Sequence, residues 1–145
     1  MRVRDWMTEP VMSVRLEESL RDAEALMRQH RIRHLLVLHR GTLVGILSDR
    51  DLQSALPSPT TTLSVGEIRF YLTSIQVAQV MTRQVVTITP QMPLAEAARL
   101  MRNRKLEALP VVEGGQVVGI LTTTDLMESL SVLLQQEEQR QYALH

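Results

Sequence analysis

The chain has 145 residues, with 16 Lys plus Arg against 16 Asp plus Glu, a formal net charge of zero and no cysteine. That balance argues against a polyanion partner and excludes a disulfide framework or a thiol nucleophile. No apolar run is long enough to span a bilayer, and Arg2, Arg4 and Asp5 lead into no signal-peptide core, so a cytoplasmic protein with no membrane partner is expected.

Residues 11–14, Val-Met-Ser-Val, predict a short strand. Ser19-Leu-Arg-Asp22 has the spacing of an N-cap with an acidic third helical residue, and Leu20, Ala23, Leu26 and Met27 then fall on one helix face. His30 and His34 stand four apart, but Arg31 and Arg33 crowd them where the chain leaves the helix, so no metal site is expected. Residues 35–38 and 43–47 are apolar β-type runs separated by His39-Arg40-Gly41-Thr42, a hairpin-length loop. A helix follows from Ser48 or Asp49.

Residues 55–62 carry two prolines and a threonine run, which resist regular structure. Ser64-Val-Gly-Glu67 has capping-box spacing and predicts a helix through Ile68, Tyr71, Leu72 and Ile75. Phe70 and Tyr71 are expected to pack onto the core; the alternative is a lid or a partner contact.

The same series then recurs. Residues 85–88 predict a strand, Leu94 to Asn103 a helix, and residues 109–112 and 117–121 a hairpin around Glu113-Gly114-Gly115-Gln116. Pro110 lacks a backbone donor and is placed at a strand margin or edge. A long helix from Thr122 or Thr123 carries Leu126, Leu130, Leu133 and Leu134, and its polar residues 135–140 are expected to be solvated or frayed. Residues 7–52 overlay residues 81–126 at a constant offset of 74, with Met7/Met81, Leu20/Leu94, Met27/Met101, Gly45/Gly119 and Asp51/Asp125 coinciding. This is a duplicated module, divided as residues 1–74 and 75–145. A 145-residue chain buries about two-thirds of its unfolded surface, while half of it alone is marginal. One domain in two lobes with a shared core is expected.

A catalytic inventory is nearly empty: no glycine-rich phosphate loop, no paired metal-ligand histidines on a helix and no Ser/His/Asp signature. What recurs is a hydroxyl followed three residues later by a carboxylate, Ser48/Asp51 and Thr122/Asp125, at a strand-to-helix junction. First-turn N–H groups and a hydroxyl there can meet an anion while the carboxylate accepts from a sugar diol. The other reading is that Ser48 and Thr122 are only N-caps and that Asp51 and Asp125 only favour the helix dipole.

Val-Met-Thr (80–82), Leu-Pro-Val-Val (109–112) and Gly-Ile-Leu-Thr-Thr-Thr-Asp-Leu (119–126), repeated as Trp-Met-Thr (6–8), Arg-His-Leu-Leu-Val (33–37) and Gly-Ile-Leu-Ser-Asp-Arg-Asp-Leu (45–52), resemble a tandem pair of cystathionine-β-synthase (CBS) domains. The resemblance covers nearly the whole chain. It implies an α/β (α+β) fold of two β-α-β-β-α repeats packed pseudo-symmetrically through their sheets, a Bateman module that commonly dimerises into a disc. The stretch from Asp49 to Thr60 also resembles stand-alone bacterial proteins of acetoin utilisation.

Such modules bind AMP, ADP, ATP or S-adenosylmethionine as ligands and hold no other cofactor. Carried over by position, Asp51 and Asp125 would hold ribose hydroxyls, with Ser48 and Thr122 beside the ribose or phosphate. Val14, Ile88, Leu36 and Pro110 would line the adenine slot. Arg50, Arg33 and His34 are the phosphate candidates; Thr124, Glu107 and Ala108 occupy the matching positions of the second copy, so a first-copy site would favour more phosphate. Leu36 departs from the family's usual proline, seen here as Pro110.

The leading expectation is a non-catalytic adenosine-nucleotide sensor, a homodimer that signals to a regulated protein through a ligand-dependent shape or dimer change. The alternative is an interaction module with vestigial clefts. Arginines outnumber lysine fifteen to one, yet even charge and scarce aromatics count against nucleic-acid binding. No enzyme is expected, because the clefts offer carboxylates without a paired nucleophile.

Overall fold

A computed structural model describes residues 1–57 and 62–144. Residues 58–61, inside the stretch expected to be irregular, and His145 lie outside the described residues. The fold is mixed helix and strand with two small sheets, and it divides into two compact units, Val11–Val85 and Met1–Pro10 with Val86–His145. No helix among the described residues is long and apolar enough to cross a membrane.

The unit Val11–Val85 runs β1 (Ser13–Arg15), α1 (Leu20–His30), β2 (His34–His39), β3 (Thr42–Ser48), α2 (Asp49–Ala55), α3 (Val65–Thr73) and α4 (Val77–Val80). Ser19 caps α1 by accepting from the Asp22 amide at 3.1 Å, and Arg31 ends it in the left-handed region at φ 55°. The chain therefore leaves the helix between His30 and His34, as expected. β1 runs parallel to β2, and β2 antiparallel to β3. The hairpin turn takes only Arg40 and Gly41, with φ of 51° and 77°. Two positive φ values match the strand twist of a two-residue turn, so the ladder extends through His39 and Thr42 and His39 closes β2 instead of lying in a loop.

The core of this unit joins Val14, Leu20, Ala23, Met27, Leu35, Val37, Leu47 and Leu52 to Leu72, Val77 and Met81. α3 contributes Leu72 and, one turn earlier, Ile68; it ends at Thr73, short of the expected Ile75, which packs against the same core from just beyond the helix. Phe70 lies off that face and is 79% exposed, and Tyr71 is 39% exposed, so the expectation that both pack onto the core is overturned.

The second unit runs from a 3₁₀ turn at Val3–Asp5 through α5 (Leu94–Arg104), β4 (Ala108–Glu113) and β5 (Gln116–Thr122) to α6 (Thr123–Ala143). Its core holds Val3, Ile88, Leu94, Ala97, Met101, Leu109, Val111 and Leu121. Each unit thus has its own cluster of buried apolar side chains. α6 stays helical beyond residue 135 although every side chain there is exposed.

The strand expected at residues 85–88 shrinks to a single parallel bridge, Ile88 with Val111. One missing proton accounts for the difference from β1. In the first copy the Leu36 N–H donates to the Met12 carbonyl at 3.2 Å, whereas Pro110 has no N–H to give Val86. Pro110 is nonetheless inside β4, not at its margin, on the edge strand of a two-stranded sheet. The strand tolerates it because its partner Ile120 spends both backbone groups on Thr8, at 2.8 and 3.2 Å, leaving Pro110 opposite a position that needs no donor.

The packed units do not follow the division at residue 74. Val3 is fully buried in the second-repeat core and its N–H donates to Met92 O at 2.9 Å; Val77 is fully buried in the first-repeat core and donates to Glu18 O at 2.8 Å. The segment leading into each repeat is thus built into the core of the other copy.

Candidate functional site

In both units the strand-to-helix junction is a closed capping box. Ser48 N–H donates to Asp51 Oδ2 at 2.8 Å while Asp51 N–H donates to Ser48 Oγ at 3.1 Å. Thr122 N–H donates to Asp125 Oδ2 at 2.8 Å, and Asp125 N–H returns a bond to Thr122 Oγ1 at 3.3 Å. A backbone clasp closes each junction: Asp49 N–H donates to Arg33 O at 2.8 Å and Thr123 N–H to Glu107 O at 3.0 Å. The capping role is therefore real, and it fixes each carboxylate at the mouth of a helix N-terminus, where the positive end of the dipole favours negative charge.

The two carboxylates differ in what else they hold. Asp125 is 8% exposed, and its Oδ1 accepts from the Thr8 hydroxyl at 2.8 Å while Thr122 Oγ1 lies 3.1 Å from Oδ2. Asp51 is half-buried, and its described hydrogen bonds are those with Ser48. The matching threonine, Thr82, pairs through its backbone with Ile46 at 2.9 and 3.0 Å. Thr8 was not among the residues singled out from the sequence. The signal was present, since Met-Thr recurs at 7–8 and 81–82. Thr8→Val is expected to cost about 1.5 kcal/mol, the low end for a hydrogen bond to a charged group because Thr8 is exposed. Urea unfolding measures it, and a change below about 0.3 kcal/mol would leave the Thr8 to Asp125 bond without energetic weight.

The remaining sequence candidates fall in three places. Val14 and Ile88, 5% and 3% exposed, belong to the two cores, clustered with the helix residues Leu20, Ala23 and Met27 and Leu94, Ala97 and Met101. Leu36 and Pro110 are buried on the opposite sheet faces, alternating with Leu35, Val37, Leu109 and Val111. His34 pairs with Ser48 across β2 and β3, and Arg50 and Thr124 stand exposed on the first turns of α2 and α6. Arg33 instead lines a cleft of about 310 Å³ with Arg28, Arg31 and Asp49, whose walls include neither Val14 nor Leu36. No group of three His, Cys, Asp or Glu side chains that could hold a metal occurs among the described residues.

The CBS domain model matches residues 3–58 and 77–132. The solved structure of an acetoin utilization protein (AcuB) from Vibrio cholerae is 31% identical, superposes with a TM-score of 0.78 and covers 96% of each chain. The CBS domain pair of MJ0100, solved with 5'-methylthioadenosine and S-adenosyl-L-methionine, is 25% identical with a TM-score of 0.75 over 90% of this chain and 96% of that one. CBSX2, solved in complex with AMP, is 29% identical with a TM-score of 0.74 over 89% of this chain and 95% of that one. With the family matched twice over most of its length and both junction motifs in place, the chain belongs to the CBS domain family as a tandem pair.

Proposed function

We propose that this chain is a non-catalytic regulatory module that binds an adenosine-containing ligand, AMP, ADP, ATP or S-adenosylmethionine, and passes its occupancy to a regulated protein through a change of shape or of dimer. The observation that carries the reading is the pair of hydroxyl–carboxylate junctions, each with its carboxylate held at a helix N-terminus by bonds of 2.8 to 3.3 Å. The ligands bound by the MJ0100 pair and by CBSX2 share the adenosine moiety such a junction suits. A carboxylate accepts from a ribose diol, and adjoining N–H and hydroxyl groups meet a phosphate. Ligand shifts the module only by its differential affinity for two states.

Titration calorimetry of the chain with AMP, ADP, ATP and S-adenosylmethionine tests this, repeated on Asp51→Ala and Asp125→Ala. Saturable binding that is weakened at least about tenfold in one variant is expected. Absence of heat with all four ligands, on protein that melts cooperatively, would transfer the assignment to an interaction module. The exposed face of α6 with Met127, Leu130 and Leu134 is the surface that favours that second reading.

A further inference from the structure

The two repeats diverge after Leu56 and Leu130, which match at the offset of 74. Pro57 disfavours the helical region at the residue before it, and Leu56 ends α2 with an extended backbone at ψ 153°. Further along, α3 lays Ile68 and Leu72 into one groove with Arg28, Leu52 and Leu56, and Leu52 is left 5% exposed. In the second repeat Ser131 follows Leu130, and α6 runs on for 21 residues. Nothing among the described residues of that unit takes the place of α3.

The uncovered face is the more apolar of the two. Ala98 stands where the groove of the first unit has Glu24, and Met127 where it has Gln53. Met127, Leu130, Leu133 and Leu134 share one side of α6 at helical spacing and are 42 to 64% exposed. A contiguous apolar stripe of this kind marks a contact surface.

Charge selects what covers it. The stripe ends in Glu137 and Glu138, whereas α5 carries Arg99, Arg102 and Arg104 against Glu96, and Arg102 holds the position of the groove-lining Arg28. Glu137 is paired with Arg140 on its own helix at 3.3 Å, which leaves Glu138 as the acid to be met. A second α6 laid antiparallel, with Leu130 of one copy against Leu134 of the other, brings each Glu138 level with Leu126 of the other copy, on the side of Arg102. A parallel copy would set Glu137 and Glu138 against themselves. A two-fold axis near Val132 makes both ends of the contact alike.

We infer that two copies of this chain pair through α6 of the second unit, antiparallel, with the chain's own α3 filling the matching place in the first unit. This gives the dimer of the reading above its surface, and it holds whichever ligand binds.

Sedimentation velocity of the full chain without ligand tests it, with circular dichroism melts showing that each variant folds. Wild type is expected to be a dimer. Leu130→Asp combined with Leu134→Asp is expected to raise the dimer dissociation constant at least about a hundredfold. Phe70→Asp, on the outward side of α3, is expected to leave it unchanged. Glu138→Arg should weaken the dimer about fivefold, the factor for two exposed ion pairs, and adding Arg102→Glu should restore it. A monomeric wild type, a dimer that the folded Leu130 and Leu134 double variant leaves intact, or a dimer lost with Phe70→Asp would overturn the pairing through α6. Absence of rescue by Arg102→Glu would overturn its antiparallel register. Since no ligand is present, each of these outcomes leaves the adenosine reading standing, and absence of ligand heat in calorimetry leaves the pairing standing.

Discussion

Deleting residues 1–10 is expected to unfold the unit built on the second repeat while leaving the first-repeat sheet protected. Val3 is fully buried among Ile88, Leu94, Ala97, Met101 and Leu109, and burying such a side chain is worth about 1.5–3 kcal/mol. Around it the segment makes five backbone hydrogen bonds to the second repeat: Val3 to Met92, Arg4 to Pro90, Leu94 to Met1, and Thr8 with Ile120 in both directions, at 2.8 to 3.2 Å. At about 1 kcal/mol net each, these bonds and the apolar contact together approach the whole stability of a small domain, about 5–15 kcal/mol. Hydrogen exchange resolves the outcome by element. Protection is expected to collapse in α5, β4 and β5 and to persist in β2 and β3. Val3→Asp should produce the same pattern from a single buried charge. Were residues 1–10 part of the first repeat's fold, as a division at residue 74 supposes, the protection lost would instead be in β2 and β3.

The element order, the helix caps at Ser19, Ser48, Ser64 and Thr122, and the two hairpins are legible in the sequence because each rests on local rules: an acceptor three residues ahead of an amide, an apolar stripe, a glycine at a positive φ. The cores follow the repeat as well, position for position, from Val14 and Ile88 to Leu47 and Leu121. What local rules do not carry is the exchange of leading segments. Val3 and Val77 stand at the same offset of 74, and by sequence each is adjacent to the repeat on its C-terminal side; only the distant carbonyls of Met92 and Glu18 reveal which core it enters. The site was legible in part. Both hydroxyl–carboxylate pairs form as spaced, but period-two alternation on a buried strand does not reveal which face is the core. Val14 and Ile88 therefore turn to the helices while Leu36 and Pro110 take the other face. Arg33 shows the same limit, since its neighbours in the cleft are Arg28 and Arg31 of the α1 end. Phe70 follows from helix phase: with Ile68 and Leu72 inward, position 70 points out.

Gly45→Ala is expected to destabilise the protein by about 3 kcal/mol and Gly119→Ala by about 1 kcal/mol, the top and bottom of the range for overpacking. Both glycines lie where a leading segment crosses a strand. A Cβ at Gly45 would come within 2.7 Å of Met81 Sδ and 2.9 Å of the Thr82 carbonyl oxygen; at Gly119 it would meet Met7 Sδ at 2.7 Å but the Thr8 carbonyl oxygen only at 3.2 Å. A thioether can swing aside at small cost. A carbonyl in a paired bridge cannot, and Thr82 is held to Ile46 by bonds of 2.9 and 3.0 Å. The first clash therefore bears on the bridge itself, whereas the second needs the Met7 thioether to swing aside and the Thr8 carbonyl, itself bridged to Ile120, to give by only a few tenths of an ångström. Urea unfolding of the two variants measures the gap, and equal or inverted costs would show that the methionine, not the carbonyl, sets the close approach. The glycine of each Gly-Ile-Leu motif, Gly45 and Gly119, is thus demanded by the backbone lying across it, independently of any ligand that the neighbouring Ser48/Asp51 and Thr122/Asp125 pairs hold.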